Sequence, residues 1–117
     1  MTSKQFRICW QEAAAYADAD AYASDMALSS VWGDEPNSSV PTDRIVTLYN
    51  IWLANHINIK IIRKSTGLTQ IAFGERFLIP RRTIQSWESG DRECPDYTRL
   101  LLMLAAGVYS REDLGIE

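Results

Sequence analysis

Arg81 and Arg82 stand side by side directly after Leu78-Ile79-Pro80, and Gln85 and Ser86 follow one helical turn later. Guanidinium, amide and hydroxyl groups in this arrangement are recognition chemistry. They donate and accept hydrogen bonds and carry charge, but they supply no nucleophile with a base beside it. Pro80 suits the start of a helix, where its missing N–H costs nothing. Residues 81–89 therefore read as a short helix that opens with two positive charges and stops at Gly90. Ile84 and Trp87, spaced by three, are its inward anchors, which leaves Arg81, Arg82, Gln85 and Ser86 projecting outward. A helix built this way behind a tight turn can enter the major groove of DNA.

Such a helix has to be propped from beneath. In a helix-turn-helix the first helix crosses the nucleic-acid backbone and braces the second, which presents its N-terminal side chains to base edges. The preceding segment meets this need. Thr69 is placed to cap a helix over about 70–77, with Ile71, Ala72, Phe73 and Phe77 as its buried side and Leu78-Ile79-Pro80 as the turn. Upstream, Asn58 caps a helix over 59–66, Ile57 and Ile62 occupy hydrophobic-staple positions, and Gly67 ends the helix in the left-handed position. Downstream, a helix begins near Pro95 or Asp96, with Tyr97, Leu100, Leu101, Leu104 and Ala105 as its apolar side, and stops at Gly107. Ser110 followed by Asp113 predicts one last capped turn.

The N-terminal part has a different character. Residues 5–28 are alanine-rich with no proline or glycine, which predicts one helix whose face is Phe6, Trp10, Ala13, Ala17, Ala21 and Leu28. Residues 29–43 carry two prolines, a glycine and repeated Ser, Asn and Asp, and read as a loop anchored by Trp32. Residues 44–55 predict an amphipathic helix capped by Thr42 or Asp43, with Ile45, Leu48, Tyr49, Trp52 and Leu53 on one face and His56 in a structural role at its end. No segment reads as a strand, so the class expected is all-α with five to six short helices.

Bulk properties narrow the function classes. The chain has 117 residues, enough for one domain or one domain with an appendage, and a net charge of -3. The charge is unevenly placed. Residues 1–56 hold three basic against seven acidic residues, whereas residues 57–111 hold nine against five. A basic half with an acidic arm suits a polyanion ligand. Only Cys9 and Cys94 are present, with one histidine, which fits a reducing cytosol and argues against a structural zinc site. The longest apolar run, Leu100 to Tyr109, is far short of the ~18 residues a membrane span requires, and acidic residues interrupt the N-terminus too early for a signal peptide. An acidic N-terminal helix also disfavours membrane-surface binding. There is no glycine-rich phosphate loop and no metal-ligand spacing, and Asp18 and Asp20, two apart, fall on different faces of a helix. An enzyme, a cofactor and a metal are therefore not expected.

Taken together, Ile62-Arg63, Gly67-Leu68-Thr69-Gln70, Phe73, Arg76-Phe77, Ile79 through Gly90 and Cys94-Pro95-Asp96-Tyr97 give residues 57–107 a specific signature. The segment resembles the phage repressor/Cro-like (XRE-type) helix-turn-helix family. The resemblance implies a lambda-repressor-like domain over 44–117, with 1–43 as an N-terminal helical extension and loop. It implies base contacts from Arg81, Arg82, Gln85 and Ser86. An arginine can bond O6 and N7 of guanine together, and Gln85 pairs with adenine unless helical spacing turns it toward the backbone. Phosphate contacts would come from Gln70, Thr69, Lys64 and Arg92, and from Thr83 if it does not simply cover the turn. Arg63 and Glu88 would form a salt bridge that braces the recognition helix together with Trp87. The implied protein is a cytoplasmic, homodimeric transcriptional regulator of a bacterial or phage-like type, most simply a repressor, dimerising through the 5–28 helix or the C-terminal helix. The alternative is an antitoxin-type or anti-repressor protein whose residues 1–35 bind a partner protein while the helix-turn-helix autoregulates. Two departures stand out: Leu78 sits where many members carry glycine in the turn, and Gly74 replaces the more usual alanine, which weakens its helix slightly. The acids Asp91, Glu93 and Asp96 also dilute a loop that is often basic in this family.

Overall fold

The computed structural model describes all residues, Met1–Glu117. Seven α-helices follow one another: α1 Ser3–Ala13, α2 Ala19–Ala27, α3 Thr42–His56, α4 Ile59–Ser65, α5 Gln70–Phe77, α6 Arg81–Ser89 and α7 Asp96–Ala106, with a 3-10 turn at Ser30–Trp32 and no strand. They form two compact units, Met1–His56 with Tyr109–Glu117, and Ile57–Val108. The helix count exceeds the five to six expected because the N-terminal helix is broken.

In the first unit, Thr2 and Gln5 exchange side-chain bonds with each other's amides, at 3.1 and 2.8 Å, and so start α1. The single helix expected over 5–28 is interrupted at 14–18. Asp18 accepts from the Ala21 amide at 3.0 Å and begins α2 afresh. Tertiary bonds outweigh the alanine propensity here: the Tyr22 hydroxyl donates to the Cys9 carbonyl at 2.6 Å, and the Trp52 indole donates to the Tyr16 carbonyl at 2.9 Å. The buried face becomes Trp10, Ala13, Tyr22, Ala23, Met26 and Ala27, while Ala17, Ala21 and Leu28 are exposed. Burial pushes the Cys9 thiol up to about 11, so it packs as a small apolar group. Trp32 does anchor its loop: its indole donates to the Met26 carbonyl at 2.8 Å, and the Arg44 guanidinium lies over its ring at 4.4 Å. Arg44 also pairs with both oxygens of Asp34.

α3 starts two residues before the expected point and packs on α1 and α2 through Leu48, Ile51 and Ala54, whereas Ile45 and Leu53 are exposed. The break read from the sequence between 43 and 44 therefore falls inside this unit. Asn50 donates to the Asp113 carbonyl, and Ser110 and Asp113 cap each other, which seats buried Leu114 against the same unit.

The second unit follows its local signals closely. Asn58 accepts from the Ile61 amide at 3.0 Å, Thr69 accepts from the Ala72 amide at 3.1 Å, and Gly67, Gly90 and Gly107 adopt positive φ at helix ends. Its buried residues include Ile59, Ile62, Phe73, Ile84, Leu102 and Met103. α7 is rotated from the expected face. Leu102 and Met103 point inward, whereas Tyr97 and Leu101 are 71% and 63% exposed and Ala105 is also exposed. Ile71 of α5, expected on the buried side, is likewise exposed.

Candidate nucleic-acid interface

The interface is built on the α5–turn–α6 hairpin. Phe73 and Phe77 meet edge-on, with ring centroids 4.8 Å apart, and Phe73 and Ile84 are fully buried between the two helices. Leu78 closes α5 in the left-handed conformation, φ 58° and ψ 42°, and the residue is 91% exposed. A residue with a Cβ pays ~1–2 kcal/mol there, and Leu78 offsets none of this by burial. Gly74 is what lets the turn close. Its carbonyl accepts from the Ile79 amide at 2.8 Å, and a Cβ at position 74 would lie 2.5 Å from the Ile79 carbonyl oxygen. Glycine here is a requirement of close backbone approach rather than a mild weakening of the helix.

Pro80 then sets the entry to α6, its carbonyl accepting from the Thr83 and Ile84 amides at 2.9 and 3.3 Å, and no side chain caps this helix. Arg81, Arg82 and Gln85 are exposed, Ser86, Thr83 and Trp87 are half-buried, and Ile84 is buried. Arg81, Arg82 and Gln85 thus face outward and Ile84 inward as the spacing predicts, whereas Ser86 and Trp87 are both half-buried.

A brace fixes this helix to α4. Arg63 Nε and Nη2 donate to the two carboxylate oxygens of Glu88 at 2.7 and 2.8 Å, and Arg63 Nη1 donates to the Leu68 carbonyl at 3.0 Å. Gln70 Nε2 reaches Glu88 Oε1 at 3.3 Å. The Glu88 side chain is only 5% exposed. The Arg63 hydrogen bonds hold its carboxyl below the usual range against the opposing effect of burial, with smaller help from Gln70 and from the charges of Arg63 and Lys60. One carboxylate of α6 is thereby tied to α4 and to the first residue of α5, so α6 is positioned by a bidentate ion pair.

An open groove beside α6 gathers Gln70, Arg82, Gln85 and Ser86 together with Glu88 and Asp91. Arg81, Thr69, Thr83, Lys64 and Arg92 lie outside its lining. Lys60 lines it too, a residue that the sequence expectations do not include. The signal was present: Lys60 is three residues before Arg63 on the same helix, hence on the same face as a residue already paired with α6.

Residues 59–107 match the helix-turn-helix family model, while no curated protein and no solved structure matches the chain. No helix is long and apolar enough to cross a membrane. Residues 59–107 of this chain are a helix-turn-helix domain of the phage repressor/Cro-like (XRE) type, a family of DNA-binding transcriptional regulators.

Proposed function

We propose that this protein is a sequence-specific double-stranded DNA-binding repressor, acting in the cytoplasm as a homodimer. Arg81, Arg82, Gln85 and Ser86 read base edges in the major groove, and Gln70, Thr69, Thr83, Lys64 and Arg92 hold phosphates. Dimerisation follows from the small number of base pairs one such helix can read, since two half-sites multiply the discrimination. The observation that carries the reading is the exposure of two adjacent arginines at the start of a helix that is pinned to α4 by a nearly dry carboxylate. Groups so placed keep their orientation when water is displaced, which is what bidentate base recognition requires. Selection from a pool of random duplexes at two salt concentrations tests it. The wild type should enrich one sequence, and Arg81→Ala/Arg82→Ala should not. Equal enrichment by both proteins, or by neither, refutes the reading.

A second reading has support in the charge of the first unit. That unit carries four basic against ten acidic residues, a net charge of -6, whereas the second carries eight against five, a net charge of +3. A separate acidic helical unit suits an antitoxin-type or anti-repressor role in which residues 1–35 bind a basic protein surface and the helix-turn-helix autoregulates. A partner that binds the Arg81→Ala/Arg82→Ala protein as well as the wild type would favour this reading.

A further inference from the structure

The groove beside α6 is electrostatically balanced on a single residue. Its lining includes Lys60, Arg82, Asp91 and Glu88, with a donor amide from Gln70. Glu88 is neutralised by Arg63, so the charges left are those of Lys60 and Arg82 against Asp91. Without Lys60 the groove has no net charge. With it the groove has a net charge of +1, beside the Gln70 amide, which is able to donate to a phosphate oxygen.

We propose that this groove seats one phosphodiester of bound duplex next to the bases read by α6, and that Lys60 is the residue that makes the seat attractive to it. The proposal rests on the DNA-binding reading above and adds a contact to it. Lys60 is exposed, and it lies on the α4 face that carries Arg63, whose head group reaches α6. The charge of Lys60 is also felt at the Glu88 carboxylate, after the stronger effects of Arg63 and Gln70. An ammonium on a flexible stem is suited to a phosphate oxygen, where a point charge is needed and base geometry is not.

The test is the salt dependence of binding to a selected duplex, measured for the wild type, Lys60→Ala, Lys60→Gln and Lys4→Ala. Lys4 is an exposed lysine of the first unit, so its removal changes net charge equally. Loss of one phosphate contact lowers the slope of log K against log salt by ~0.9. Both Lys60 variants should show that loss, with unchanged sequence preference and an unchanged urea midpoint, and Lys4→Ala should keep the wild-type slope. A wild-type slope in the Lys60 variants, or an equal loss in Lys4→Ala, overturns the assignment and leaves the DNA-binding reading standing. A wild type that binds no duplex overturns both.

Discussion

Replacing Glu88 with glutamine keeps the side chain's size and removes its charge. It leaves the Arg63 guanidinium, whose side chain is 13% exposed, facing a neutral amide in place of a bidentate carboxylate. Two charge-assisted bonds, at 2.7 and 2.8 Å, become at best one neutral acceptor contact. A hydrogen bond to a charged group contributes about 1.5–3 kcal/mol, and stranding one partner of a buried pair costs about 3–5. Arg63 keeps its bond to the Leu68 carbonyl and some solvent, so the expected loss is about 2–3 kcal/mol at pH 7. The sign with pH follows from the carboxyl being held below its ordinary value of 4.5. Its stabilisation is fully present above the unfolded-state pKa and fades as pH falls through the lower, folded-state value. Glutamine cannot titrate, so the gap between wild type and variant should close in acid. Of the four tryptophans only Trp87 belongs to the second unit, so 19F NMR of 5-fluorotryptophan-labelled protein in urea follows that unit separately. Equal urea midpoints at pH 7, or a difference that persists unchanged well below pH 4, would refute the argument that the brace is an ion pair holding α6.

Two further changes probe the turn itself. Leu78→Gly should raise the stability of the second unit by about 1 kcal/mol by removing left-handed strain, read as a higher urea midpoint. Gly74→Ala should lower it by about 1–3 kcal/mol, because the added methyl would meet the Ile79 carbonyl oxygen at 2.5 Å, even though alanine is the better helix former. In the first unit, Asp18→Ala should cost about 1 kcal/mol and loosen the start of α2, seen as faster amide exchange at Ala21.

Much of the second unit could be read directly from the residue order. Asn58 and Thr69 set the starts of α4 and α5 because a cap satisfies amides only two or three residues away, and Pro80 and Gly90 bound α6 through the φ each favours. The outward set on α6 followed from the helical period, since Ile84 and Trp87 are its only large apolar residues. The resemblance implies the Arg63–Glu88 pair, whose atoms lie at bonding distance.

Other features depended on groups distant in the chain. Residues 100–105 of α7 are apolar on nearly every side, so periodicity cannot choose between Leu101 and Leu102, and packing on α4 turned Leu102 and Met103 inward. The same holds for the break at 14–18, where bonds to Cys9 and from Trp52 outweigh the helix-forming tendency of alanine. The need for glycine at 74 and the place of Lys60 in the groove arise from backbone and charge brought close by the fold. Local hydrogen-bond satisfaction is written in neighbouring residues. The face a helix buries is decided by which surface it meets, and that surface exists only after the chain has folded.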